Sequence, residues 1–77
     1  MFQSEIQVVT ARNQPIRFRW KRQWYSILSI EDDRVDTGEW WNGEGEKTFY
    51  RVFAEDGVFE IYYDEKEKAW HMYRVYD

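Results

Sequence analysis

The residues best suited to chemistry in this 77-residue chain are basic and aromatic side chains that alternate along one short segment. The candidates for nucleic-acid binding are Arg17, Arg19, Lys21, Arg22 and Trp24. In an extended strand, Arg17 and Arg19 point to one side, and the aromatic rings of Phe18 and Trp20 point to the other. Cations beside aromatic rings suit single-stranded nucleic acid, whose phosphates pair with the cations while its bases stack on the rings. An amphipathic strand with a solvated face has the same pattern without any ligand, so both interpretations stay open.

A second candidate surface is the pair Trp40-Trp41, which suits a protein partner. Adjacent residues of an extended segment point to opposite faces, so one indole would enter the core and the other would be exposed. An exposed tryptophan is a typical energetic centre of a protein–protein interface. If the segment is irregular, both rings would instead be buried and cover an open end of the fold. The sequence leaves these two alternatives equal.

Catalysis and metal binding lack the side chains they need. The chain has one histidine, His71, and no cysteine, so a zinc ligand set of the usual kind cannot be assembled. Asp32, Asp33 and Asp36 resemble a fragment of a calcium loop, but the glycine and the final glutamate of an EF-hand are not at the required spacing. We therefore expect no catalytic residue, no cofactor and no metal, and the chain is not predicted to be an enzyme.

Strands must position these residues, because no window repeats apolar residues at helical spacing. We predict strands over residues 5–10, 16–20, 23–30, 47–54, 58–64 and 69–76, with a short extended piece around Trp40. Tight turns are predicted at Lys21-Arg22 and at Asp56-Gly57, and the acidic Glu31-Asp32-Asp33 should end the third strand. The predicted fold class is all-β. One domain over residues 1–77 would form an antiparallel meander of six or seven strands, curled into a small barrel or a strongly twisted sheet.

Aromatic side chains should supply most of the core, because they make up 21% of the residues. A chain of this size buries only about 60% of its unfolded surface, and each buried aromatic ring removes roughly 150–250 Å² from water. The apolar members of the alternating strands are the side chains we expect to be buried. They are Phe18, Trp20, Tyr25, Ile27, Tyr50, Val52, Ile61, Trp70 and Met72.

Charge is distributed unevenly along the chain, whose net charge is −4. In residues 1–30, five basic side chains against one acidic side chain give +4, and in residues 31–77, six against fourteen give −8. An acidic total argues against indiscriminate DNA binding, although a local basic strand remains compatible with nucleic acid. The lack of cysteine, of a signal-like start and of a long apolar run leads us to expect a cytoplasmic protein that does not bind membranes.

Several segments resemble a small uncharacterised bacterial family. The matching segments are Arg17-Phe18-Arg19-Trp20-Lys21-Arg22 with Tyr25 and Ile27, Glu39-Trp40-Trp41, Tyr50-Arg51-Val52, and Trp70 with Met72 before Arg74-Val75-Tyr76-Asp77. A similar run occurs at the carboxyl-terminal end of ImuB-type proteins, the inactive Y-family polymerase homologues of the bacterial mutagenesis cassette. The resemblance covers residues 16–77, and the chain departs from the pattern at Gln23, near which a hairpin glycine is expected. It implies a standalone version of a domain otherwise fused to a translesion factor, without polymerase activity.

The function that we expect is a non-catalytic protein–protein interaction module, which the resemblance associates with bacterial DNA damage tolerance and translesion synthesis. The alternative is a single-stranded nucleic-acid-binding module that uses the basic aromatic strand at residues 17–24. Charge favours the first, because affinity for nucleic acid grows with the number of phosphates neutralised and the last 47 residues are strongly acidic. A protein partner tolerates mixed charge and favours exposed Trp, Tyr and Arg. The identity of that partner cannot be derived from the sequence.

Overall fold

Six antiparallel strands make up the computed structural model, which describes residues 5–37 and 45–76. They are β1 (Glu5–Ala11), β2 (Gln14–Trp20), β3 (Gln23–Asp36), β4 (Lys47–Ala54), β5 (Gly57–Asp64) and β6 (Ala69–Tyr76). Each strand pairs with the next, and β1 pairs with β6 through Glu5 opposite His71 and Ile6 opposite Trp70, so the sheet closes into a small barrel. The all-β prediction is confirmed, with the barrel as the architecture formed. Over the described ranges, no helix is long and apolar enough to cross a membrane.

The hairpin turns follow the predicted positions closely. Lys21 and Arg22 form the β2–β3 turn with φ angles of 52° and 66°. Two consecutive positive φ angles match the twist of the flanking strands, so this tight turn is confirmed without a glycine. In the β4–β5 hairpin, Glu55 and Asp56 form the tip, and Gly57 with φ 148° opens β5 opposite Ala54. That hairpin is also confirmed, with its tip one residue earlier than the Asp-Gly pair indicated.

The acidic segment Glu31-Asp32-Asp33 does not end the third strand, so this part of the prediction is wrong. β3 continues through it to Asp36 and pairs with β4 over its whole second half. Charged side chains are tolerated there because residues 31–37 are exposed and because β4 places opposite charges across the ladder. Asp32 lies opposite Arg51 and Asp36 lies opposite Lys47, and opposite-charge pairs on neighbouring strands stabilise a sheet.

Two bulges in β3 accompany its change of partner strand from β2 to β4. Its first residues pair with β2 as far as Ser26, opposite Arg17, and the strand then pairs with β4 from Ile27 onward. The register shifts between Ile27 and Ser29 and again between Ile30 and Asp32. A bulge bends its strand and increases the local twist. The paired bulges therefore bring β3 from one partner strand to the next while the barrel stays closed.

The core lies on the inner face of the barrel. Its buried members are Phe18, Val52, Ala54, Phe59, Ile61 and Met72. Phe18 is 0% exposed, and its ring centroid lies 5.2 Å from that of Tyr25 and 5.1 Å from that of Phe59. Of the predicted core, Phe18, Val52, Ile61 and Met72 are buried, and the half-buried remainder, Trp20, Tyr25, Ile27, Tyr50 and Trp70, pack against the same cluster. The aromatic rings of these half-buried residues surround the buried cluster, and part of each ring stays exposed to solvent.

The polar turn between β5 and β6 is held by Asp64. Its carboxylate accepts hydrogen bonds from the backbone N–H of Lys66 at 2.9 Å and of Glu67 at 3.1 Å. The N–H of Lys68 donates to the Asp64 carbonyl at 2.7 Å. An aspartate that accepts backbone hydrogen bonds two and three residues ahead is a common turn-forming device. The buried Asp64 is thus satisfied locally, and this turn confirms the predicted break at residues 65–68.

Candidate interaction surface

The structure places the five predicted basic and aromatic residues at one end of the β2–β3 hairpin. We call this surface the basic hairpin, formed by Arg17, Arg19, Lys21, Arg22 and Trp24. Arg19 lies directly opposite Trp24 in the ladder, and the guanidinium carbon of Arg17 lies 5.2 Å from the centroid of the Trp24 ring. Trp24 is 45% exposed, and the four cationic side chains are exposed. The ladder therefore gathers three of the five into one outward-facing group, and the other two form the adjoining turn.

Cation–π contacts set the shape of this surface. The stacked Arg17 guanidinium covers part of the Trp24 ring, and such a contact at an exposed site contributes about 0.5–1 kcal/mol. On the opposite side of β2, the amino group of Lys21 lies 5.5 Å from the centroid of Trp20, whose ring packs against the core. The two tryptophans thus differ in environment. The Trp20 ring packs against the core, whereas Trp24 is partly exposed on the outer face of the hairpin.

A groove of about 380 Å³ lies between the hairpin tip and the start of β1. Arg19, Lys21 and Arg22 line it together with Glu5 and Trp20. Three cations against one carboxylate make the groove locally positive, although the whole chain is acidic. Such a groove can accept a carboxylate or a phosphate from an extended ligand.

The outer face of β3–β6 carries a charged row that sequence reasoning missed. Strand register aligns Asp32, Arg51, Glu60 and Arg74 across the sheet, so that negative and positive side chains alternate. Glu60 is only 2% exposed. Arg51 Nε donates a hydrogen bond to its Oε2 at 3.4 Å, and Arg34 Nη1 lies 3.6 Å from the same oxygen. The pairing of Arg51 with Glu60 could have been predicted from the β4–β5 hairpin, because the two residues lie at equal distances from the two ends of its turn.

An aromatic row lies beside the charged row. The guanidinium carbon of Arg34 lies 4.8 Å from the centroid of Phe49, and the Tyr62 ring stacks on His71 at 5.0 Å. Nε2 of His71 lies 2.9 Å from a carboxylate oxygen of Glu67. Burial raises the pKa of Tyr62, and nearby carboxylates raise it further. These contacts explain the conformation of the one histidine as part of a packed layer on the sheet.

A cleft of about 500 Å³ opens between the β1–β2 turn and β4–β6. Tyr50, Tyr63 and Trp70 line its inner wall, and the Trp70 ring lies 5.6 Å from Tyr50 and 5.2 Å from Tyr63. Burial raises the pKa of the Tyr50 phenol, and the charge of Asp33, directly opposite on β3, raises it further. The inner wall of this cleft is therefore made of packed aromatic rings. Among the described residues that line the cleft, no contact pairs a nucleophile with a base.

The three aspartates that resemble part of a calcium loop lie in a strand. Asp32 and Asp36 are opposite Arg51 and Lys47, while Asp33 is opposite Tyr50. Because side chains alternate between the two faces of a strand, the three carboxylates do not converge on one point. In the part of the chain that the structure describes, no group of three or more His, Asp or Glu side chains could hold a metal ion.

Trp40 and Trp41, the candidates for partner binding, lie outside the described residues, and their exposure stays a prediction. Among known proteins, a family model described as a domain of unknown function (DUF6504) matches residues 1–77. No curated protein and no solved structure matches the chain significantly. The match covers the entire sequence, including the basic hairpin and both rows of the outer face.

Proposed function

We propose that the chain, which belongs to the DUF6504 family, is a non-catalytic protein–protein interaction module that binds through the basic hairpin. Trp24 is the observation that carries this proposal. Its indole is 45% exposed on a paired strand, with Arg17 stacked on the ring and Arg19 directly opposite. Tryptophan and arginine are the side chains most enriched among the energetically dominant residues of protein interfaces. A rigid strand pair holds them in place before binding, which lowers the entropic cost of association.

The surroundings of the basic hairpin favour a protein over nucleic acid. Leu28 is 67% exposed and Ile16 is 44% exposed, so apolar surface continues from the hairpin along β2 and β3. The acidic Glu55-Asp56 turn follows Ala54, which pairs with Ile27, so carboxylates flank the same region. Mixed apolar, basic and acidic groups are typical of a protein interface. Phosphates would meet those carboxylates, which lowers affinity for a polyanion.

The biological setting is part of the proposal and has separate support. The resemblance of residues 16–77 to the end of ImuB-type proteins favours a partner in bacterial DNA damage tolerance. The lack of cysteine fits a reducing cytoplasm. Co-purification with translesion factors after DNA damage, compared with undamaged cells, tests this setting independently of the surface.

The surface is tested by affinity purification from the native host with quantitative mass spectrometry. Trp24→Ala and Arg17→Glu should each reduce recovery of the partner, because loss of a dominant interface residue costs about 2 kcal/mol or more, which is roughly thirtyfold in affinity. Arg12→Glu is the matched control, because Arg12 is an exposed arginine in the neighbouring β1–β2 turn. Equal recovery with all three variants would refute the basic hairpin as the interface.

Trp40→Ala and Trp41→Ala belong in the same experiment, because the exposed member of that pair remains the other predicted contact for a partner. If binding depends on one of them and not on Trp24, the module is retained and its interface moves to the β3–β4 connection. The folded state of each variant is checked by its thermal unfolding, so that loss of binding is separated from loss of fold.

The nucleic-acid alternative is tested by fluorescence anisotropy with a single-stranded oligonucleotide of about 20 residues. We expect no saturable binding at about 150 mM salt. Binding in the low micromolar range, with an affinity that falls by about 0.7 logarithmic units per neutralised phosphate for each tenfold rise in salt, would contradict the protein-partner proposal. That binding should then be lost on Arg17→Glu and kept on Arg12→Glu.

A further inference from the structure

β3 has one edge that the barrel uses only in part. Residues up to Ser26 pair with β2 on this edge, and β4 pairs with the opposite edge from Ile27 to Asp36. Within residues 5–37 and 45–76, no strand pairs with the β2-side edge of β3 beyond Ser26. The N–H and C=O groups of an unpaired strand edge are available to a strand from another molecule. We call the stretch from Leu28 to Val35 the open β3 edge.

The start of β2 explains why this edge stays open. The last pair of the β2–β3 ladder is Arg17 with Ser26, and Pro15 lies two residues before Arg17 on β2. Proline has no N–H, so it cannot donate a further hydrogen bond to β3. A groove of about 360 Å³ separates the two strands at this point. Ile16 and Leu28, both exposed, lie along it, so the first part of the open edge is apolar.

The second part of the open β3 edge is acidic. Residues 31–35 carry three carboxylates and one arginine, and every side chain in this stretch is exposed. Charge on an edge strand prevents pairing with an identical edge, because like charges would lie across from each other. The same charge attracts a strand of opposite sign. A second copy of this chain is therefore disfavoured at this edge, and a basic extended segment is favoured.

We propose that the open β3 edge binds an extended segment of a partner protein by strand addition. The segment carries apolar residues where it lies beside Ile16 and Leu28, and lysine or arginine where it lies beside Glu31 to Asp33. Main-chain hydrogen bonds supply affinity in this mode of recognition, and alternate side chains supply specificity. This edge shares Ile16 and Leu28 with the surroundings of the basic hairpin, but its carboxylates lie beyond the last pair of the hairpin, so variants of those carboxylates test it separately from the proposed function.

A synthetic peptide tests the edge directly on the whole chain. The probe has ten residues with blocked ends, alternating Val and Thr in one half and Lys and Thr in the other, and it is made in both sequence directions. Nuclear magnetic resonance titration should show saturable binding, with amide exchange slowed by about tenfold or more along residues 28–35. A peptide of the same sequence with alternate backbone nitrogens methylated should not bind, because it cannot complete the ladder.

Two charge variants separate the edge from general electrostatic attraction. The double variant Glu31→Lys with Asp33→Lys should weaken binding by about tenfold or more. Glu55→Lys with Asp56→Lys makes the same change in net charge at the β4–β5 tip, outside the acidic part of the edge, and should leave affinity within about twofold. All four side chains are exposed, so both variants should fold.

The following outcomes would overturn the proposal. The first is equal binding of the methylated peptide, which would show attraction by charge alone. The second is equal weakening by both double variants, or no binding at millimolar peptide. The third is self-association through this edge in sedimentation analysis, abolished by Glu31→Lys, which would assign the edge to a second copy of the chain.

Discussion

Glu60 provides the sharpest test of how the outer face of the sheet is held together. The substitution Glu60→Gln keeps the size and shape of the side chain and removes its charge. In the native chain this carboxylate is 2% exposed, accepts a hydrogen bond from Arg51 at 3.4 Å and lies 3.6 Å from Arg34. Arg74 is its partner in the ladder on the other side. Arg51 and Arg34 therefore share one buried carboxylate, and the substitution leaves them facing a neutral amide.

The magnitude follows from distance and exposure. Two unit charges at 3.4 Å attract by about 5 kcal/mol at an effective dielectric constant of about 20. The Arg51 and Arg34 side chains are 40% and 48% exposed, so solvent screening reduces each pair to about 1 kcal/mol. Hydrogen bonds to a charged group contribute about 1.5–3 kcal/mol. We expect Glu60→Gln to lower the free energy of unfolding by about 2 kcal/mol and the midpoint of thermal unfolding by roughly 10 °C.

The assay is urea and thermal unfolding followed by tryptophan fluorescence. Glu55→Gln, at the exposed hairpin tip, is the control and should change stability by less than about 0.5 kcal/mol. A double-mutant cycle of Glu60→Gln with Arg51→Gln should give a coupling energy of about 1 kcal/mol. If Glu60→Gln matches wild type, or the coupling is zero, the arginines are held by their ring contacts with Phe49 and Tyr76 and the carboxylate contributes nothing.

Three further predictions concern the core, alkaline pH and metal. Phe18→Ala should lower the free energy of unfolding by about 3–5 kcal/mol in urea, because the fully buried ring packs on Tyr25 and Phe59; a loss below about 1 kcal/mol would contradict this core. The raised pKa values of Tyr50 and Tyr62 mean that the folded state holds these protons more tightly than the unfolded state does. The free energy of unfolding should therefore be complete below pH 10 and fall as pH rises above it, and the fall should be smaller in the double variant Tyr50→Phe with Tyr62→Phe. Dialysis against a chelator should leave the thermal midpoint unchanged, and a drop of several degrees would reopen the acidic half of β3 as a metal site.

Much of the fold could be predicted from the sequence because its determinants are local. Alternation placed Phe18 and Trp20 inward and Arg17 outward, and turn chemistry placed the hairpins. β3 could not be predicted in the same way, since the acidic stretch reads as a break until its partner strand is known. Arg51, far along the chain, lies opposite Asp32, and strand stability depends on such cross-strand neighbours more than on the residue itself.

The candidate site was likewise predictable only where its residues are close in sequence. The residues of the basic hairpin lie within one short segment, so its arginines and Trp24 could be identified by spacing alone. The burial of Glu60 on β5 depends on two arginines from different strands, Arg34 on β3 and Arg51 on β4. The full group can be identified only once the registers of β3, β4 and β5 are known. The open β3 edge was hidden for a related reason, because it required knowing where β2 stops pairing.

β3 links the stability of the barrel to its proposed binding surfaces. Its first residues hold Trp24 in the basic hairpin, and its second half completes the sheet through β4, while no described strand pairs with its other edge from Leu28 to Val35. A ligand that adds a strand to that edge binds only the folded chain. At a concentration one hundred times its dissociation constant, it should therefore stabilise the fold by about 2.7 kcal/mol. The gain should disappear with Glu31→Lys and Asp33→Lys, while a ligand of the basic hairpin should stabilise that variant and wild type equally.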